Sequence, residues 1–367
     1  MHFSASVTCV VPRLPPAIDG VGDYALNLSR QLRQDFGIET HFLVGDSTWT
    51  GATHMEGFPI SKVTEHSATA LLSLLPSNPQ PIATVFLHYV GYGYAKRGCP
   101  VWLVEALERW KANTANSRLV TMFHEIYASG QPWTSAFWLS QLQKNLATRL
   151  AQLSDSCLTS KELYADILYE LSQGKQSQIP TLPVFSNIGE PESVPSLAER
   201  DRRLVVFGSR GNRLQVYQQS LAELSFTCQQ LGIEQIWDIG PSTGLTLSAV
   251  DGVPVLEMGK LPAAEISAIL LNSLVGFFDY PTDFLGKSTM FAAYCAHGLL
   301  PVSARCSPKP VDGIEAGKYY WFPDGQAKGL KNVSEVQAIA DNARAWYQTH
   351  TLSVQAKTFA AHLVSHP

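Results

Sequence analysis

Short apolar runs alternate with amphipathic stretches along most of the chain. Runs rich in β-branched and aromatic residues predict strands, and apolar residues at three- and four-residue spacing predict helices. Strands that alternate with helices in this way indicate an α/β protein with parallel sheets. In the first half, the predicted strands are 4–11, 40–45, 83–90, 118–124 and 156–160, and the most regular helical patterns cover 22–36 and 137–153.

The alternation is interrupted once, at residues 186–201. This stretch, SNIGEPESVPSLAERD, is rich in proline, serine and charged residues and is typical of a linker. We therefore expect two Rossmann-like domains, 1–190 and 191–350, whose carboxyl strand edges face a cleft, and a C-terminal helix over 351–367 that packs back on the first domain. After the interruption, the predicted strands are 203–208, 235–240, 254–259 and 274–280, followed by helices over 335–350 and 352–364.

Composition and charge narrow the function classes. A chain of 367 residues is long enough for two domains, and 45% hydrophobic with 16% charged residues is typical of a globular protein. A net charge of −4 without a long basic run argues against nucleic acid as a partner. The six cysteines form no CxxC pair, so we expect free thiols, and no clustering of His and Cys suggests a metal site. We expect no cofactor. The N-terminus lacks a signal-peptide pattern, which favours a cytoplasmic location.

The segment DFLGKSTMFAAYCAHGLLPV, residues 283–302, contains half of a phosphate-binding P-loop. The letters GKST match the end of that motif, but a P-loop also needs a glycine five positions before Gly286, where this chain has Pro281. Proline has no amide hydrogen to donate. A lysine and the free amides at a helix start can nevertheless bind a phosphate in other folds.

The first predicted strand also leads into a glycine-rich turn, in PRLPPAIDGVGDYALNLSRQL. Gly20 and Gly22 lie where the strand turns into a helix. Because glycine has no side chain, a ligand can approach the backbone closely, and the start of a helix offers backbone amides to an anion. A plain tight turn would need the same glycines, so both interpretations stay open.

Several segments resemble the GT-B glycosyltransferases, in particular the retaining family 4 type. PPAIDGVGDYALNLSRQL resembles the first turn of that family, and TMFHEIYASG, CLTSKELYADIL and PVFSNIGE resemble later strand ends of its first domain. FGSRGNRLQVY, DIGPSTG and LEMGKLPAAEISAIL resemble its donor-binding second domain. The segments cover nearly the whole chain in the expected order. The resemblance implies a GT-B fold and metal-independent, retaining transfer of a sugar from a nucleotide diphosphate sugar to a hydroxyl of a glycan or lipid-linked acceptor.

The resemblance also implies a donor site in the second domain. GKST falls where the family has a glycine turn before the helix that meets the donor diphosphate, so Lys287 would supply a cation there. Either Arg210 or Arg213 would neutralise the leaving diphosphate, and two solvated surface arginines are the alternative. The expected diphosphate contacts are Gly20, Gly22, Arg210, Arg213, Lys287 and the amides of Ser288 and Thr289, and the expected nucleotide contacts are Gly208, Gly259 and Lys260.

When residues 281–298 are aligned with the donor-site motif of the family, the chain departs from the motif at two positions. Leu285 and Ala293 stand where the family has two glutamates, and neither side chain can ionise. Either the donor is held differently, or the chain is a non-catalytic relative that binds a nucleotide sugar or acts as a scaffold. A sugar-nucleotide epimerase or similar hydrolase would need clustered carboxylates and histidines. A dehydrogenase would need a complete GxGxxG turn with an acidic residue about 20 positions on, which this chain lacks.

On the acceptor side, the resemblance places His124 near the transferred sugar, followed by Glu125 at the strand end. A structural histidine at a strand end is the alternative. Asp23 is a candidate general base if transfer inverts, or only a favourable partner of the helix dipole. His88 and Tyr92, in LHYVGYGYAKRGCP, suit a carbohydrate acceptor, and packed loop side chains are the alternative.

A last pattern concerns membranes. WTSAFWLSQLQKNLATRL, residues 133–150, places Trp133, Phe137 and Leu142 near one helical face. An interfacial membrane helix has this pattern, and so does a helix packed on a sheet, which is the favoured interpretation. The basic pair Lys96 and Arg97 could meet a lipid-linked diphosphate. Peripheral membrane contact is therefore a secondary expectation.

Overall fold

The computed structural model describes residues 5–17, 19–77, 82–128, 133–323 and 333–364. The chain forms two compact units, the first comprising Met1–Leu182 with Leu352–Pro367 and the second Pro183–Thr351. The sequence placed the corresponding division at residue 190. Residue 4 of the first predicted strand and residues 365–367 of the predicted C-terminal segment lie outside the described residues.

The first unit is built on a seven-stranded sheet in the order β3-β4-β2-β1-β5-β6-β7. Its strands are β1 (Ser6–Val11), β2 (Glu39–Val44), β3 (His54–Met55), β4 (Phe58–Lys62), β5 (Ala83–Tyr89), β6 (Ser117–Phe123) and β7 (Ser156–Thr159). All neighbours pair in parallel except β3 with β4. Without β3, the parallel strands follow the doubly wound order 3-2-1-4-5-6, whose switch point lies between β1 and β5.

Helices cover this sheet and bury its apolar strands. They are α1 (Gly20–Phe36), α2 (Ala68–Leu72), α3 (Gly91–Tyr94), α4 (Val101–Asn113), α5 (Ser135–Leu153), α6 (Glu162–Leu171) and, from the end of the chain, α12 (Leu352–Leu363). All seven residues of β5 are buried, as expected for a parallel strand with helices on both faces. α12 packs against α1 in this unit, and the Tyr24 hydroxyl donates to Gln355 Oε1 at 2.6 Å.

The second unit is built on a six-stranded sheet in the order β10-β11-β9-β8-β12-β13. Its strands are β8 (Asp201–Phe207), β9 (Gln235–Ile239), β10 (Ala249–Val250), β11 (Val253–Gly259), β12 (Ser273–Phe278) and β13 (Leu300–Ser303), and only β10 is antiparallel to its neighbour. The parallel strands follow the order 3-2-1-4-5, so the switch point lies between β8 and β12.

The helices of the second unit complete a Rossmann-like layer structure. They are α7 (Arg210–Gln219), α8 (Leu221–Leu231), α9 (Ala263–Leu271), α10 (Thr289–Ala296) and α11 (Val333–Gln348), with 3₁₀ helices at Leu197–Glu199 and Thr282–Lys287. The stretch predicted as a linker packs within this unit. The Tyr347 hydroxyl of α11 accepts from the Ser186 amide at 2.8 Å, and Arg344 donates to the carbonyls of Pro191 and Glu192 at 3.2 and 3.1 Å.

All nine strands predicted from the sequence are present, with ends shifted by a few residues. The strands absent from the prediction are β3, β4, β10 and β13, which have two to five residues each. The two-residue strands β3 and β10 are too short to display a period. β13 also contains Pro301, a residue tolerated in edge strands because one side of such a strand needs no ladder bond.

Gly22 is required by a close backbone approach at the start of α1. A Cβ atom at this position would lie 2.2 Å from the carbonyl oxygen of Arg13, whereas a Cβ at Gly20 would meet nothing within 4 Å. Gly22→Ala is therefore expected to lower the free energy of unfolding by about 1–3 kcal/mol, because backbone must move. Urea denaturation with Gly20→Ala as the matched control measures this difference, and equal effects of the two substitutions would contradict it.

Candidate functional site

Two helices of the second unit begin side by side at the carboxyl edge of its sheet. α7 follows β8 and α10 follows β12, so both start at the topological switch point. Asn212 of α7 approaches Met290 of α10, with Nδ2 3.7 Å from Sδ. Gly208, between β8 and α7, has a φ of 136°, a backbone conformation that favours glycine.

Each of these helices is capped by a serine. Ser209 Oγ accepts from the Asn212 amide at 3.3 Å, and Ser288 Oγ accepts from the Phe291 amide at 3.2 Å. Helix N-termini carry unsatisfied amides and the positive end of the helix dipole, so this pair of helix starts favours an anion. Within the described part of the chain, no protein acceptor is found for the amides of Arg210, Gly211, Thr289 and Met290.

The amide of Ser288 differs from this group. It donates to the carbonyl oxygen of Leu285 at 2.9 Å and is therefore already used. The expectation that the Ser288 amide meets a phosphate is corrected accordingly, because one N–H cannot serve both partners well. Ser288 contributes as the N-cap of α10, and of the two amides predicted from sequence to bind phosphate, that of Thr289 stays available.

The cationic side chains at this edge have different environments. Arg210 is exposed, and its Nη2 donates to the carbonyl oxygen of Thr243 in the loop after β9 at 3.0 Å. Lys287 is half-buried, with Nζ 5.7 Å from the centre of the Phe284 ring. Both can therefore present positive charge at the edge where α7 and α10 begin.

Arg213 is fully buried and lies beneath this edge. It forms an ion pair with Asp238 of β9 at 2.7 Å and donates to the carbonyl of Gly208 at 3.2 Å and to that of Pro241. Burial raises the pKa of Asp238, and Arg213 opposes that rise. The Arg213 side chain thus ties the loops after β8 and β9 together, which leaves Arg210 as the exposed arginine of the two considered from sequence.

Sequence reasoning missed a third arginine at the same edge. Asp279, directly after β12, is buried and accepts from Ser220 Oγ at 2.7 Å. The same carboxylate pairs with Arg305, which follows β13 and has a side chain that is 41% exposed. An acidic residue immediately after the apolar run LVGFF was the available signal for Asp279, whereas Arg305 stands in a segment with no recognisable motif.

The remaining residues assigned to the donor lie at the same sheet edge or in the core. Gly259 ends β11 with a φ of 69°, its carbonyl accepts from the Gly240 amide at 2.9 Å, and the following Lys260 is exposed. Leu285 and Ala293, which the sequence resemblance aligned with two glutamates of the family motif, are buried. Their side chains therefore pack in the protein interior.

At the switch point of the first unit, Tyr24 contacts a pair of histidines. His88, at the end of β5, and His124, just after β6, lie 2.9 Å apart from Nδ1 to Nε2. The Tyr24 ring meets both edge-on, at centroid distances of 5.8 and 5.2 Å. Tyr24 was missed from sequence, since Gln355, which accepts from its hydroxyl, is 331 positions away.

His88 has no exposed surface, so a contact between its side chain and an acceptor is not available in this structure. Burial, and secondarily His124, hold the pKa of His88 well below its usual value. In the described part of the chain, its Nε2 has no hydrogen-bond partner. His88 can act on a ligand only through His124, whose ring retains a small exposed area.

The glycine turn of the first unit is already occupied by a carboxylate. Asp19 caps α1 and accepts from the amides of Val21 and Gly22 at 2.9 and 3.0 Å. A diphosphate at Gly20 and Gly22 would meet this negative charge, so the turn does not favour it. The pKa of Asp23 is raised, first by burial and then by Asp19. A raised carboxyl pKa suits a proton acceptor.

Tyr92 and Glu125 are the exposed members of the group assigned to the acceptor. Tyr92 lies in α3 after β5, and its hydroxyl accepts from Gln143 Nε2 of α5 at 3.3 Å. Glu125 follows His124 after β6. Both therefore belong to the same carboxyl edge as Asp23 and the histidine pair.

Acid is expected to destabilise the first unit through His88. The pKa of His88 is lower in the folded protein than in the unfolded chain, so the unfolded chain binds the proton more readily. The stability that is present above about pH 6.5 is therefore lost as the pH falls. The slope for one proton reaches about 1.4 kcal/mol per pH unit. Denaturation between pH 7 and 5 should show a shallower slope for His88→Gln than for the wild type. Identical slopes would refute a buried neutral His88.

Metal-binding and membrane-spanning features were sought in the described residues. There, no three or more His, Cys, Asp or Glu side chains are grouped so that they could hold a metal ion. Over the same residues, every helix is too short or too polar to cross a bilayer.

Comparison with known proteins establishes the fold. No protein-family model and no curated protein matches the chain. Solved structures do: an α-glucosyltransferase in complex with UDP-glucose and DNA matches at 11% identity over 98% of this chain and 99% of its own, with a TM-score of 0.59. The α,α-trehalose 6-phosphate synthase of Burkholderia multivorans matches at 12% identity over 98% of both chains, with a TM-score of 0.61.

A third structure is WaaG, a glycosyltransferase involved in lipopolysaccharide biosynthesis, at 12% identity over 98% of this chain and 100% of its own, with a TM-score of 0.55. These likenesses extend over whole chains, and both units have the Rossmann-like strand order. The chain therefore has the GT-B fold that its sequence predicted. At such low identities, the likeness concerns the fold and leaves the activity to be argued from the site.

Proposed function

We propose that the chain is a glycosyltransferase whose second unit binds a nucleotide diphosphate sugar and whose first unit binds a glycan or lipid-linked acceptor. The observation that carries this proposal is the pair of adjacent helix starts at the switch point of the second sheet, with Arg210 and Lys287 at the same edge. Free amides, two helix dipoles and two cations suit a diphosphate. The GT-B fold, shared with glycosyltransferases, supports the same assignment.

In this proposal the second unit stabilises the leaving group. The bond between the anomeric carbon and the phosphate oxygen breaks, and both electrons leave on the diphosphate. Arg210, Lys287 and the Thr289 amide would stabilise that growing charge, which is the role a bound metal plays in other transferases. Arg305, held by Asp279, would be a further cation. Gly208, Gly259 and Lys260 would contact the nucleotide.

The acceptor hydroxyl forms the new bond to the anomeric carbon, and we propose that configuration is retained. The hydroxyl proton then passes to the leaving phosphate. His124 would contact the transferred sugar, with His88 setting which imidazole nitrogen carries the proton. Tyr92 and Glu125 would contact the acceptor, and Asp23 would take the proton only if transfer inverts.

Two further parts of the proposal concern partners and location. The structural relative with bound UDP-glucose makes uridine diphosphate sugars the first donors to test, and the net charge of −4 makes nucleic acid a poor acceptor. All six cysteines are free, which suits a reducing cytoplasm.

A second candidate is a non-catalytic GT-B relative that binds a nucleotide sugar or acts as a scaffold. It is supported by Leu285 and Ala293, which are apolar and buried and which the sequence resemblance aligned with two glutamates of the family motif. A non-catalytic relative would either bind a nucleotide sugar without turnover or, as a scaffold, bind none, and only the first candidate predicts turnover.

A thermal-shift screen followed by a turnover assay tests the proposal. The ligands are UDP, GDP, ADP, CMP, ATP and the common sugar conjugates. A ligand at 100 times its Kd adds about 2.7 kcal/mol, which shifts the melting temperature by several degrees. One nucleoside diphosphate and its sugar should stabilise the chain, and slow hydrolysis of that sugar would show turnover. Binding without turnover favours the second candidate, and no stabilisation by any ligand refutes the donor site.

A further inference from the structure

Three aromatic side chains are exposed at the start of α5. Trp133, Phe137 and Trp138 are 82%, 43% and 74% exposed, and we call them the aromatic patch. The rings of Phe137 and Trp138 meet edge-on, with centroids 5.4 Å apart. The helix start beside them is ordered by its N-cap, since the Phe137 amide donates to Thr134 Oγ1 at 3.3 Å.

The aromatic patch is not the packing face of α5. The buried face of this helix carries Leu146, Ala147 and Leu150 in the core, and Gln143, also buried, donates to the Arg97 carbonyl at 2.9 Å. The interpretation favoured from sequence, a helix packed on a sheet, therefore accounts for those residues and not for the two tryptophans. Single exposed apolar side chains are common, but two tryptophans exposed together on a helix start call for a partner.

The surroundings of the aromatic patch are basic. Lys144 is exposed seven positions after Phe137, which places it on the same helix face, and α5 contains no acidic residue. The segment 91–100, which Gln143 holds against α5, carries the exposed Lys96 and Arg97 and no acidic residue. This local charge is opposite in sign to the net charge of −4 of the whole chain. Aromatic rings beside basic residues are complementary to the headgroup region of an anionic bilayer.

We propose that the aromatic patch is a membrane-contact site that inserts into the surface of an anionic lipid bilayer. α5 connects β6 to the parallel strand β7, so its start lies at the carboxyl edge of the sheet, where His124 and Tyr92 also lie. Contact through this edge brings the candidate acceptor residues to the bilayer surface. The lipid-linked nature of the acceptor rests on the proposed function, whereas the membrane contact itself does not.

Vesicle co-sedimentation of the full chain tests this inference. With phosphatidylcholine vesicles containing phosphatidylglycerol, the double variant Trp133→Ser/Trp138→Ser is expected to lower the partition coefficient about tenfold or more, because two large apolar side chains no longer leave water. Lys144→Gln should lower it about fivefold on anionic vesicles and little on neutral ones. Both changes are at exposed positions, and unchanged thermal melts would show that the fold is intact.

The matched control is Leu163→Ser/Tyr169→Ser, which removes two apolar side chains that are 56% and 53% exposed on α6 of the same unit. It should leave vesicle binding unchanged. Equal losses in both double variants, or no vesicle binding by the wild type, would overturn the inference. A concentration-dependent dimer that the tryptophan variant abolishes, without vesicle binding, would overturn it too and assign the patch to a second copy of the chain. Failure to bind nucleotides would affect only the proposed function.

Discussion

The double variant Arg210→Gln/Lys287→Gln is expected to bind its nucleoside diphosphate about a hundredfold more weakly than the wild type. Hydrogen bonds to charged groups contribute roughly 1.5–3 kcal/mol each, and every 1.4 kcal/mol is a factor of ten in Kd. Each single variant should therefore lose about tenfold. Glutamine keeps much of the side-chain length, so the change isolates the charge.

Isothermal titration calorimetry with the diphosphate found in the ligand screen measures this effect. Arg202→Gln is the matched control, because Arg202 lies at the opposite end of β8 and its Nη1 donates to the Leu231 carbonyl at 2.7 Å. It removes the same single charge as Arg210→Gln, but from the far edge of the same sheet. Affinity lost equally in the control would mean that overall charge, and not a local site, governs binding. Unchanged affinity in the double variant would remove Arg210 and Lys287 from the site.

Asp238→Asn is expected to lower the free energy of unfolding by about 3–5 kcal/mol, the cost of leaving a buried charge without its partner. Arg213 has no exposed surface and pairs with Asp238 at 2.7 Å, so the variant leaves a buried guanidinium that no carboxylate neutralises. The loss is larger than that expected at Gly22, because a backbone shift relieves a clash more readily than it hydrates a buried charge.

Urea denaturation followed by circular dichroism measures this loss, and the double variant Asp238→Asn/Arg213→Met provides the diagnostic comparison. Removing both members of a buried ion pair is often nearly neutral, so most of the stability should return. The double variant should nevertheless bind nucleotide poorly, because Arg213 no longer holds the carbonyls of Gly208 and Pro241. A double variant no more stable than Asp238→Asn would show that the pair is not the cause.

The two arginines of α7 are expected to have different roles, one in binding the diphosphate and one in stabilising the fold. Arg210 and Arg213 are three positions apart in one helix, and the sequence does not distinguish their roles. In the fold, one is exposed at the sheet edge and the other is buried against β9. Substituting Arg210 should weaken nucleotide binding with little effect on stability. Substituting Asp238, the partner of Arg213, should chiefly lower stability.

Local pattern was enough to predict nine of the thirteen strands of the two described sheets. Buried parallel strands are continuous apolar runs such as ATVFLHY, and helices carry apolar residues at three- and four-residue spacing. Each element can therefore be recognised from a short stretch of sequence. The glycine at position 22 and the turn before α10 were visible for the same reason. The resemblance of ordered segments then predicted the GT-B fold, because proteins of one fold share the order in which strands and helices follow one another along the chain.

Only the tertiary structure determines which carboxylates, hydroxyls and amides come together in one site. Asp279 beside Arg305, and Tyr24 between His88 and Gln355, are contacts between residues far apart in the chain. Burial also depends on all the surrounding elements, which is why His88 was assigned to an acceptor before its lack of exposed surface was known. Periodicity along the chain determines which elements form, whereas the packing of those elements determines which polar groups remain free to bind.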